Sequence, residues 1–298
     1  MPGKVLVSGS SGLIGSALLP VLQANGYEVT RLVRQGASAA GQISWNPSQP
    51  IAPETVSGFG AVVHLAGESI VGRWTSAKKQ RITESRVGPL HRLAQALAAS
   101  PQPPRTLVCA SAVGFYGSRG DELLPEDSPP GKGFAADLCQ QWEAAPQPAA
   151  DAGLRLANMR FGVVLSSHGG ALAKMLPPFR MGLGGRVGDG RQWMPWIDIS
   201  DVAGAILHVL NNDTLRGPVN VVSPNPVTNA EFTKVLASVL SRPAIFPMPA
   251  FAARLAFGQM ADELLMASQR VVPAKLLASG YVFRRPDLRT SLRAILAN

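Results

Sequence analysis

Three glycines near the start of the chain have the spacing of a loop that binds phosphates. Gly9, Gly12 and Gly15 lie between a predicted strand, Lys4–Ser8, and a predicted helix. In such a unit the first glycine permits a tight turn, the second lets a pyrophosphate approach the backbone, and the third lets the helix pack close to the strand. The helix N-terminus adds free N–H groups and a partial positive charge. Because Ser16 and not Lys follows Gly15, the pattern predicts a dinucleotide-binding loop and not one of the NTPase type.

An arginine stands where a ribose-binding carboxylate is expected. The acid that binds the ribose 2′-OH of NAD follows the glycines by about 20 residues. Arg34 lies 19 positions after Gly15 (34 − 15), and no acid is nearby. Because a guanidinium forms paired hydrogen bonds to a phosphate, we predict NADP(H) as the cofactor, with Arg34 at its 2′-phosphate. Arg31 is the weaker candidate because it lies within the second predicted strand, Glu28–Val33; the alternative for Arg34 is a solvated strand end.

Further strands and helices follow in alternation. Apolar runs predict strands at 61–65, 105–111 and 154–161, and helical patterns cover 75–99 and about 135–145. This alternation over about 160 residues predicts an α/β fold with a doubly wound parallel sheet. Ser200 or Asp201 is predicted to cap a helix, and Thr228 with Glu231 forms a capping box at the start of a mostly helical tail.

Ligands of such sheets bind beyond the carboxyl ends of the strands. We therefore expect one crevice lined by residues 9–15, 66–68, 111–116 and 161–165. Small residues at 66 and 67 would let the nicotinamide side of the cofactor lie against the backbone. The predicted cofactor-binding residues are Gly9, Ser11, Gly12, Leu13, Ile14, Gly15, Arg34, Leu65, Ala66, Gly67, Arg86 and Phe161.

The composition of the chain limits the classes of binding partner that we expect. A net charge of +9 fits nucleic acid, an anionic membrane surface or a phosphate-rich small ligand. The basic residues are scattered and aromatics are 6% of the chain, so we expect an anionic cofactor and no nucleic acid. There is no apolar run of about 18 residues, no signal-peptide pattern, and no metal-ligand spacing around Cys109 and Cys139. We expect a cytoplasmic protein with a small-molecule substrate, no metal and no membrane partner, and leave a homodimer open.

Several motifs in one order resemble the extended short-chain dehydrogenase/reductase superfamily. They are "SGSSGLIG", "HLAGE", "SRVGPLHRLAQAL", "CASAVGFYG", "MRFGVVLS", "WIDISDVAGAILHVL" and "NVVSPNPVTNAEF". More closely, "RWTSAKKQRITESR", "GLGGRVGDGRQWMPWIDISD" and "RVVPAKLLASGYVFRRPDL" resemble the NAD(P)-binding epimerase family of nucleoside-diphosphate-sugar epimerase-like proteins, some of which carry a cell-division-inhibitor label. The resemblance implies no established substrate. It implies an NADP-binding Rossmann domain and a smaller C-terminal substrate domain, placed here at 1–165 (completed by about 197–222) and at 166–196 with 223–298.

The chain departs from that superfamily at the catalytic pair. Its enzymes use a tyrosine and, four residues later, a lysine on the helix after the "CASAVGFYG" strand; the tyrosine moves a proton while hydride passes at the nicotinamide. That helix here reads "GFAADLCQQWEAA". Aligned on Glu143, the positions of the pair hold Ala135 and Cys139. The usual proton donor is therefore missing.

Three other residues are candidate catalytic groups. Ser111 stands near the superfamily's catalytic serine, although a gapless alignment on the Tyr116-Gly117 pair puts Ala112 there. Tyr116 has a titratable hydroxyl near the end of a strand, with a packed aromatic as the alternative. Glu68 follows a cofactor-facing strand and could act as an acid or base, or form a salt bridge.

Two functions remain open at this point. The first is an NADP(H)-dependent oxidoreductase or epimerase with a non-standard acid, acting on a nucleotide sugar or small carbonyl compound. The second is a catalytically inactive NADP(H)-binding sensor or protein-interaction module, which the missing pair favours. We favour the enzyme because the cofactor loop is intact.

Overall fold

A seven-stranded parallel sheet forms the centre of the protein. The structure, a computed structural model, describes residues 3–34 and 40–297. Strand order in the sheet is β3-β2-β1-β4-β5-β7-β11, and every neighbouring pair is parallel. These strands are β1 (Lys4–Ser8), β2 (Glu28–Val33), β3 (Gln42–Ser44), β4 (Ala61–His64), β5 (Thr106–Ala112), β7 (Arg155–Phe161) and β11 (Gly217–Val221).

Among the residues that the structure describes, six short strands lie outside this sheet and pair two by two. They form the pairs β10 with β8, β12 with β9, and β13 with β6. Their bounds are β6 (Leu123–Leu124), β8 (Val163–Leu165), β9 (Trp193–Met194), β10 (Trp196–Asp198), β12 (Val227–Thr228) and β13 (Arg270–Val271).

Eleven α-helices are present in the described part of the chain. They are α1 (Leu13–Ala24), α2 (Ser76–Glu84), α3 (Val87–Ala98), α4 (Phe134–Ala144), α5 (Gln147–Asp151), α6 (Gly170–Arg180), α7 (Ile199–Asn211), α8 (Asn229–Leu240), α9 (Ala250–Phe257), α10 (Ala274–Ala278) and α11 (Leu288–Leu296). The helix α1 connects β1 to β2, towards one edge of the sheet, whereas α3 connects β4 to β5, towards the other edge. Right-handed connections therefore place these two helices on opposite faces of the sheet. None of the described helices has the length and apolarity that crossing a bilayer requires.

Apolar residues of the strands form the main core. The strands β1 and β4 are almost entirely buried, as expected for parallel strands covered by helices on both faces. A second cluster lies between the helices of the C-terminal part, where α6, α8 and α11 meet around Leu172, Phe232 and Leu292. The predicted α/β fold, a doubly wound parallel sheet with a smaller, mostly helical C-terminal part, is confirmed.

Two predicted helices differ from the structure. The helix predicted over 75–99 is two helices, α2 and α3, separated at Ser85 and Arg86. There the Ser85 hydroxyl donates to the Ile82 carbonyl and accepts from the Glu68 amide, so it competes with regular helix bonding. The cap of α7 is Asp198, whose carboxylate accepts from the Ser200 amide at 2.8 Å, and not Ser200 or Asp201. The capping box of Thr228 and Glu231 is present as predicted.

Candidate functional site

The glycine loop lies where the strand order reverses. The first strand has β2 on one side and β4 on the other, which is the position where sheets of this type bind their ligands. Gly9 has a φ of +69°, and a Cβ there would lie 2.6 Å from the carbonyl carbon of Leu65. A Cβ on Gly15 would overlap the Gly9 carbonyl and the Ser10 backbone. Both glycines are therefore required by the turn itself.

Gly12 differs from the other two glycines. A Cβ there would meet only the Gly9 oxygen, at 3.3 Å, so its other side is open. Gly12 is also the N-cap of α1, and no described side chain caps that helix or places an acid in its first turn. The first amides of α1, including those of Leu13 and Ile14, are thus free to bind an anion. The loop fits a dinucleotide diphosphate.

Two arginines, Arg31 in β2 and Arg34 directly after it, lie on the ribose side of this loop. Arg34 directly follows the strand and is exposed, and none of the described residues pairs with its side chain. Arg31 is half-buried and donates from Nε to the Ser10 hydroxyl at 3.0 Å, so it contacts the glycine loop directly. Arg31 is therefore in contact with the loop, although it lies within a strand and was the weaker candidate from the sequence. The guanidinium of each arginine could therefore bind a 2′-phosphate located at the end of β2.

The segment after β4 forms the next wall of the crevice. The Leu65 amide donates to the Ser8 carbonyl at 3.2 Å, which extends the pairing with β1 by one residue and places Ala66 and Gly67 directly after it. Arg86 lies beneath this segment: its Nη2 donates to the Glu68 carbonyl at 2.8 Å, and a Cβ on Gly67 would come within 3.2 Å of its guanidinium. Burial lowers the pKa of Arg86 to about 10, so it stays charged at neutral pH. The structure thus gives Arg86 the role of holding the segment's backbone; its predicted cofactor contact stays a prediction.

Glu68 forms an ion pair at the mouth of the crevice. Its carboxylate lies 2.6 Å from the Lys78 ammonium and 3.5 Å from the Arg81 guanidinium. The hydrogen bond from Lys78 lowers the pKa of Glu68 below its usual value. At neutral pH the group is therefore an ionised carboxylate, which can accept a hydrogen bond or a proton but has none to give.

Ser111 is engaged beneath the crevice. It is buried at the end of β5, and its hydroxyl donates to Glu143 on α4 at 2.6 Å. Both oxygens of that carboxylate accept from Arg160, each at 2.8 Å. The serine hydroxyl is thus held by a buried, paired carboxylate rather than presented to a ligand.

Tyr116 belongs to the same buried network. Its hydroxyl donates to the Asn220 side-chain oxygen at 2.7 Å and accepts from Arg160 at 2.9 Å. The side chain is fully buried, and desolvation raises the pKa of its phenol. The guanidinium of Arg160 also lies 3.5 Å from the centre of the Phe115 ring. The structure thus supports the packed-aromatic interpretation of Tyr116.

The positions of the missing catalytic pair lie in α4, Ala135 at its start and Cys139 in its middle. Cys139 is buried, its Sγ lies 3.5 Å from the Ala112 carbonyl oxygen, and burial raises the pKa of its thiol to about 12. Ala135 has no polar side chain, but its amide donates to the Glu263 carboxylate at 2.7 Å. The Phe134 amide donates to the same carboxylate at 3.2 Å. A glutamate from the C-terminal part thus binds the backbone at the place where related enzymes carry the tyrosine.

Residues 250–265, which we name the cover segment, lie over this edge of the sheet. Arg73, in the segment after β4, donates to the Leu255 carbonyl at 3.0 Å. Met260 packs in one apolar cluster with Trp74 and with Leu138 of α4. The cover segment therefore bridges the carboxyl ends of β4 and β5 by contacts with both rims of the crevice.

The remaining predicted cofactor residues are placed as follows. Ser11 is exposed at the outer edge of the glycine loop, and the Leu13 side chain lies against Gly169 and Gly170. Phe161 is buried at the end of β7. The structure therefore brings the loop, the end of β2 and the segment after β4 together, and the cofactor contact of Phe161 stays a prediction.

Family models match both parts of the chain. The model of the NAD dependent epimerase/dehydratase family matches residues 5–222, and a domain of unknown function, DUF1731, matches residues 248–295. The chain belongs to the NAD dependent epimerase/dehydratase family. The predicted resemblance is confirmed, and the DUF1731 region contains the cover segment and the helices that follow it.

Relatives of this epimerase-family protein match it over almost its whole length. "Epimerase family protein MT2273" of Mycobacterium tuberculosis is 42% identical over 290 residues, which is 97% of this chain and 96% of the relative. "Epimerase family protein SDR39U1" of Homo sapiens is 38% identical over 298 residues, covering 99% and 100%. The crystal structure of human SDR39U1 with NADPH is similar with a TM-score of 0.91 at 37% identity, covering 99% of each chain.

Sequence reasoning missed the polar network and the cover-segment glutamate. Arg160 is 44 residues from Tyr116, and Glu263 is 128 residues from Ala135. No local pattern joins such positions. An arginine between the apolar residues Met159 and Phe161 of a predicted strand was the available signal for Arg160, since a buried charge requires a partner.

Proposed function

We propose that this epimerase-family protein is an NADP(H)-dependent oxidoreductase or epimerase. Its substrate would be a small molecule with a carbonyl or hydroxyl group, such as a nucleotide sugar. The observation that carries the proposal is the open glycine loop at Gly12 with Arg34 at the end of the neighbouring strand. The human relative, whose crystal structure was determined with NADPH, supports the same choice of cofactor.

Each part of the crevice has a role in this proposal. The amides at the start of α1 bind the diphosphate, and Arg34 with Arg31 binds the 2′-phosphate. The bound nicotinamide supplies hydride transfer. Of the three candidate catalytic groups, Glu68 is the one that is not buried and could accept a proton from a substrate hydroxyl.

The proposal is tested by titrating the purified protein with NADPH and NADH and following nicotinamide fluorescence. We expect tighter binding of NADPH. Oxidation of NADPH is then followed with a panel of carbonyl compounds and nucleotide sugars, in the wild type and in Glu68→Gln. Ser111→Ala is the control, because its hydroxyl is already bound to Glu143. Equal and weak binding of both nucleotides would remove the basis of the proposal.

A second function has an observation in its favour. Ser111, Tyr116 and Glu68 each have their polar atoms bound by other residues, and Ala135 offers no acid. This arrangement favours an NADP(H)-binding sensor that does not turn over. Tight NADPH binding without oxidation by any substrate in the panel, also in single-turnover measurements, would favour the sensor. A homodimer and a cytoplasmic location stay predictions.

A further inference from the structure

Exposed large apolar side chains are concentrated in one region. Eleven of them are exposed among the described residues, and seven lie in two segments, 180–188 and 241–257. These seven are Met181, Leu183, Ile245, Phe246, Met248, Phe251 and Leu255. We name the two segments together the apolar-arginine surface. Concentrations of exposed apolar residues of this kind mark surfaces that bind a partner.

The two segments form one continuous surface. The Phe246 amide donates to the Gly184 carbonyl at 3.3 Å, and the Met248 amide donates to the Arg186 carbonyl at 2.8 Å. At the other end, Arg242 Nε donates to the Arg180 carbonyl at 3.1 Å. The chain from 180 to 188 therefore runs beside 242–248, which brings their exposed side chains into one neighbourhood.

The helix α9 continues this surface. Phe251 and Leu255 are four residues apart and so lie on one face of the helix, where they are 72% and 75% exposed. Ala253, on the other side of the helix, is completely buried. The helix thus packs Ala253 and Phe257 inward and leaves two large apolar side chains in solvent, which a surface helix normally avoids.

The charge of the surface has one sign. Its segments contain four arginines and no Lys, Asp or Glu: Arg180, Arg186, Arg242 and Arg254. Arg254 pairs with Asp262 outside the surface, and none of the described acidic residues forms an ion pair with the other three. These are four of the chain's 28 basic residues, in 26 residues of 298. A partner that fits is therefore both apolar and anionic.

A second copy of the chain fits this surface poorly. A twofold contact would place identical surfaces face to face, and the same unpaired arginines would then meet across it. Two cavities lie away from this surface: one is lined by Ala150, Leu154, Arg155, Leu156, Arg216 and Gly217, and the other by residues of the stretch 44–55. An anionic bilayer requires no groove, since apolar side chains enter the headgroup boundary and arginines bind lipid phosphates.

We propose that the apolar-arginine surface docks the protein on an anionic phospholipid membrane. The side chains of Phe246, Phe251 and Leu255 enter the bilayer surface, and Arg180, Arg186 and Arg242 bind the lipid phosphates. The contact is peripheral and does not cross the bilayer. It departs from our expectation from the sequence, where the arginines are scattered and their grouping by the fold is not visible.

Flotation of the full chain with lipid vesicles tests this proposal. We expect binding to vesicles of equimolar phosphatidylcholine and phosphatidylglycerol, weaker binding at high salt, and none to phosphatidylcholine alone. The double variant Phe251→Ser/Leu255→Ser should lower partitioning at least about tenfold. Arg180→Gln and Arg242→Gln should each lower it about fivefold, because a juxtamembrane arginine contributes about that factor. The matched control is Leu277→Ser/Val282→Ser, at two exposed apolar residues outside the surface.

The outcomes are separable. An unchanged melting temperature and an unchanged NADPH affinity would show that the variants are folded. If the double variant does not fold, the two arginine variants still test the surface. Binding by the control but not by the surface variants supports the proposal. The proposal is overturned if the wild-type protein does not bind anionic vesicles, or if the control and the surface variants bind them equally. It is also overturned if light scattering shows a dimer that the double variant dissociates, since a second copy then occupies the surface.

Discussion

Replacing Arg34 by aspartate should reverse the nucleotide preference. The side chain follows β2 directly, is exposed, and has no ion pair among the described residues, so its removal disturbs no contact of the fold. A carboxylate at this position would face the 2′-phosphate of NADPH, whereas it could accept from the 2′-OH of NADH. The change therefore acts on the ligand and not on stability.

The size of the effect follows from two contributions. A hydrogen bond to a charged group is worth about 1.5–3 kcal/mol, and exposure of Arg34 places it near the lower end. Repulsion between the new carboxylate and a phosphate in a solvated site adds about 1–2 kcal/mol. The total of about 3 kcal/mol corresponds to roughly a hundredfold weaker binding of NADPH. NADH affinity should change by less than about threefold, because it lacks the phosphate.

Fluorescence titration or calorimetry with both nucleotides measures this change. Arg105→Asp is the matched control, since it makes the same substitution at an exposed arginine beside the opposite, amino end of β5. It should leave both affinities unaltered except for weak long-range effects, which higher ionic strength would remove. A loss of NADPH affinity below about threefold in Arg34→Asp, or an equal loss for the two nucleotides, would refute the assignment of Arg34.

Four further substitutions test other parts of the structure. Gly15→Ala should destabilise the protein by about 1–3 kcal/mol, because the new Cβ overlaps the Gly9 carbonyl. In Gly12→Ala the new Cβ meets only the Gly9 oxygen, at 3.3 Å, so the melting temperature should fall less than in Gly15→Ala while NADPH binding weakens; equal melting temperatures for both variants would contradict the geometry. Tyr116→Phe should cost about 1–3 kcal/mol in urea unfolding, because it removes the hydroxyl between Asn220 and Arg160. Lost turnover at unchanged stability would instead make this phenol catalytic. Burial lowers the pKa of His64 from 6.5 to about 4, so the unfolded chain binds a proton that the folded chain does not. The free energy of unfolding should therefore rise with pH between the two pKa values. Lowering the pH from about 7 to about 5 should reduce it by about 2 kcal/mol. His64→Gln should remove that difference, and an equal loss in wild type and variant would speak against His64.

The sheet could be predicted because its signals are local. Continuous apolar runs in β1, β4 and β5 exist only where helices cover both faces of a parallel sheet, and the glycines identify the first turn. The prediction of one long helix over 75–99 was wrong because one side chain, the Ser85 hydroxyl, bonds to the backbone instead of to solvent. Such a choice depends on the approach of the Glu68 amide, which a helical pattern does not contain.

The location of the crevice could be predicted from the sequence, but the availability of its catalytic side chains could not. The ends of β1 and β4 meet wherever a parallel sheet has this order, so Gly9 and the segment after His64 had to be neighbours. Whether a hydroxyl such as that of Tyr116 is free depends on partners far away in the chain, here Arg160 and Asn220. The same holds for Glu263, whose carboxylate reaches the start of α4 from a segment that sequence reasoning assigned only as helical.

The position of β11 at the edge of the sheet has a consequence for biosynthesis. This strand pairs with β7, but it leaves the ribosome more than fifty residues later, after α6 and α7. Until then, the apolar Met159 and Phe161 of β7 lie on an open strand edge, which is a site for pairing with another nascent chain. Truncation after residue 165 would make that exposure permanent. Soluble production of this polypeptide should therefore depend on synthesis through at least residue 221, and chaperones should matter most during that interval.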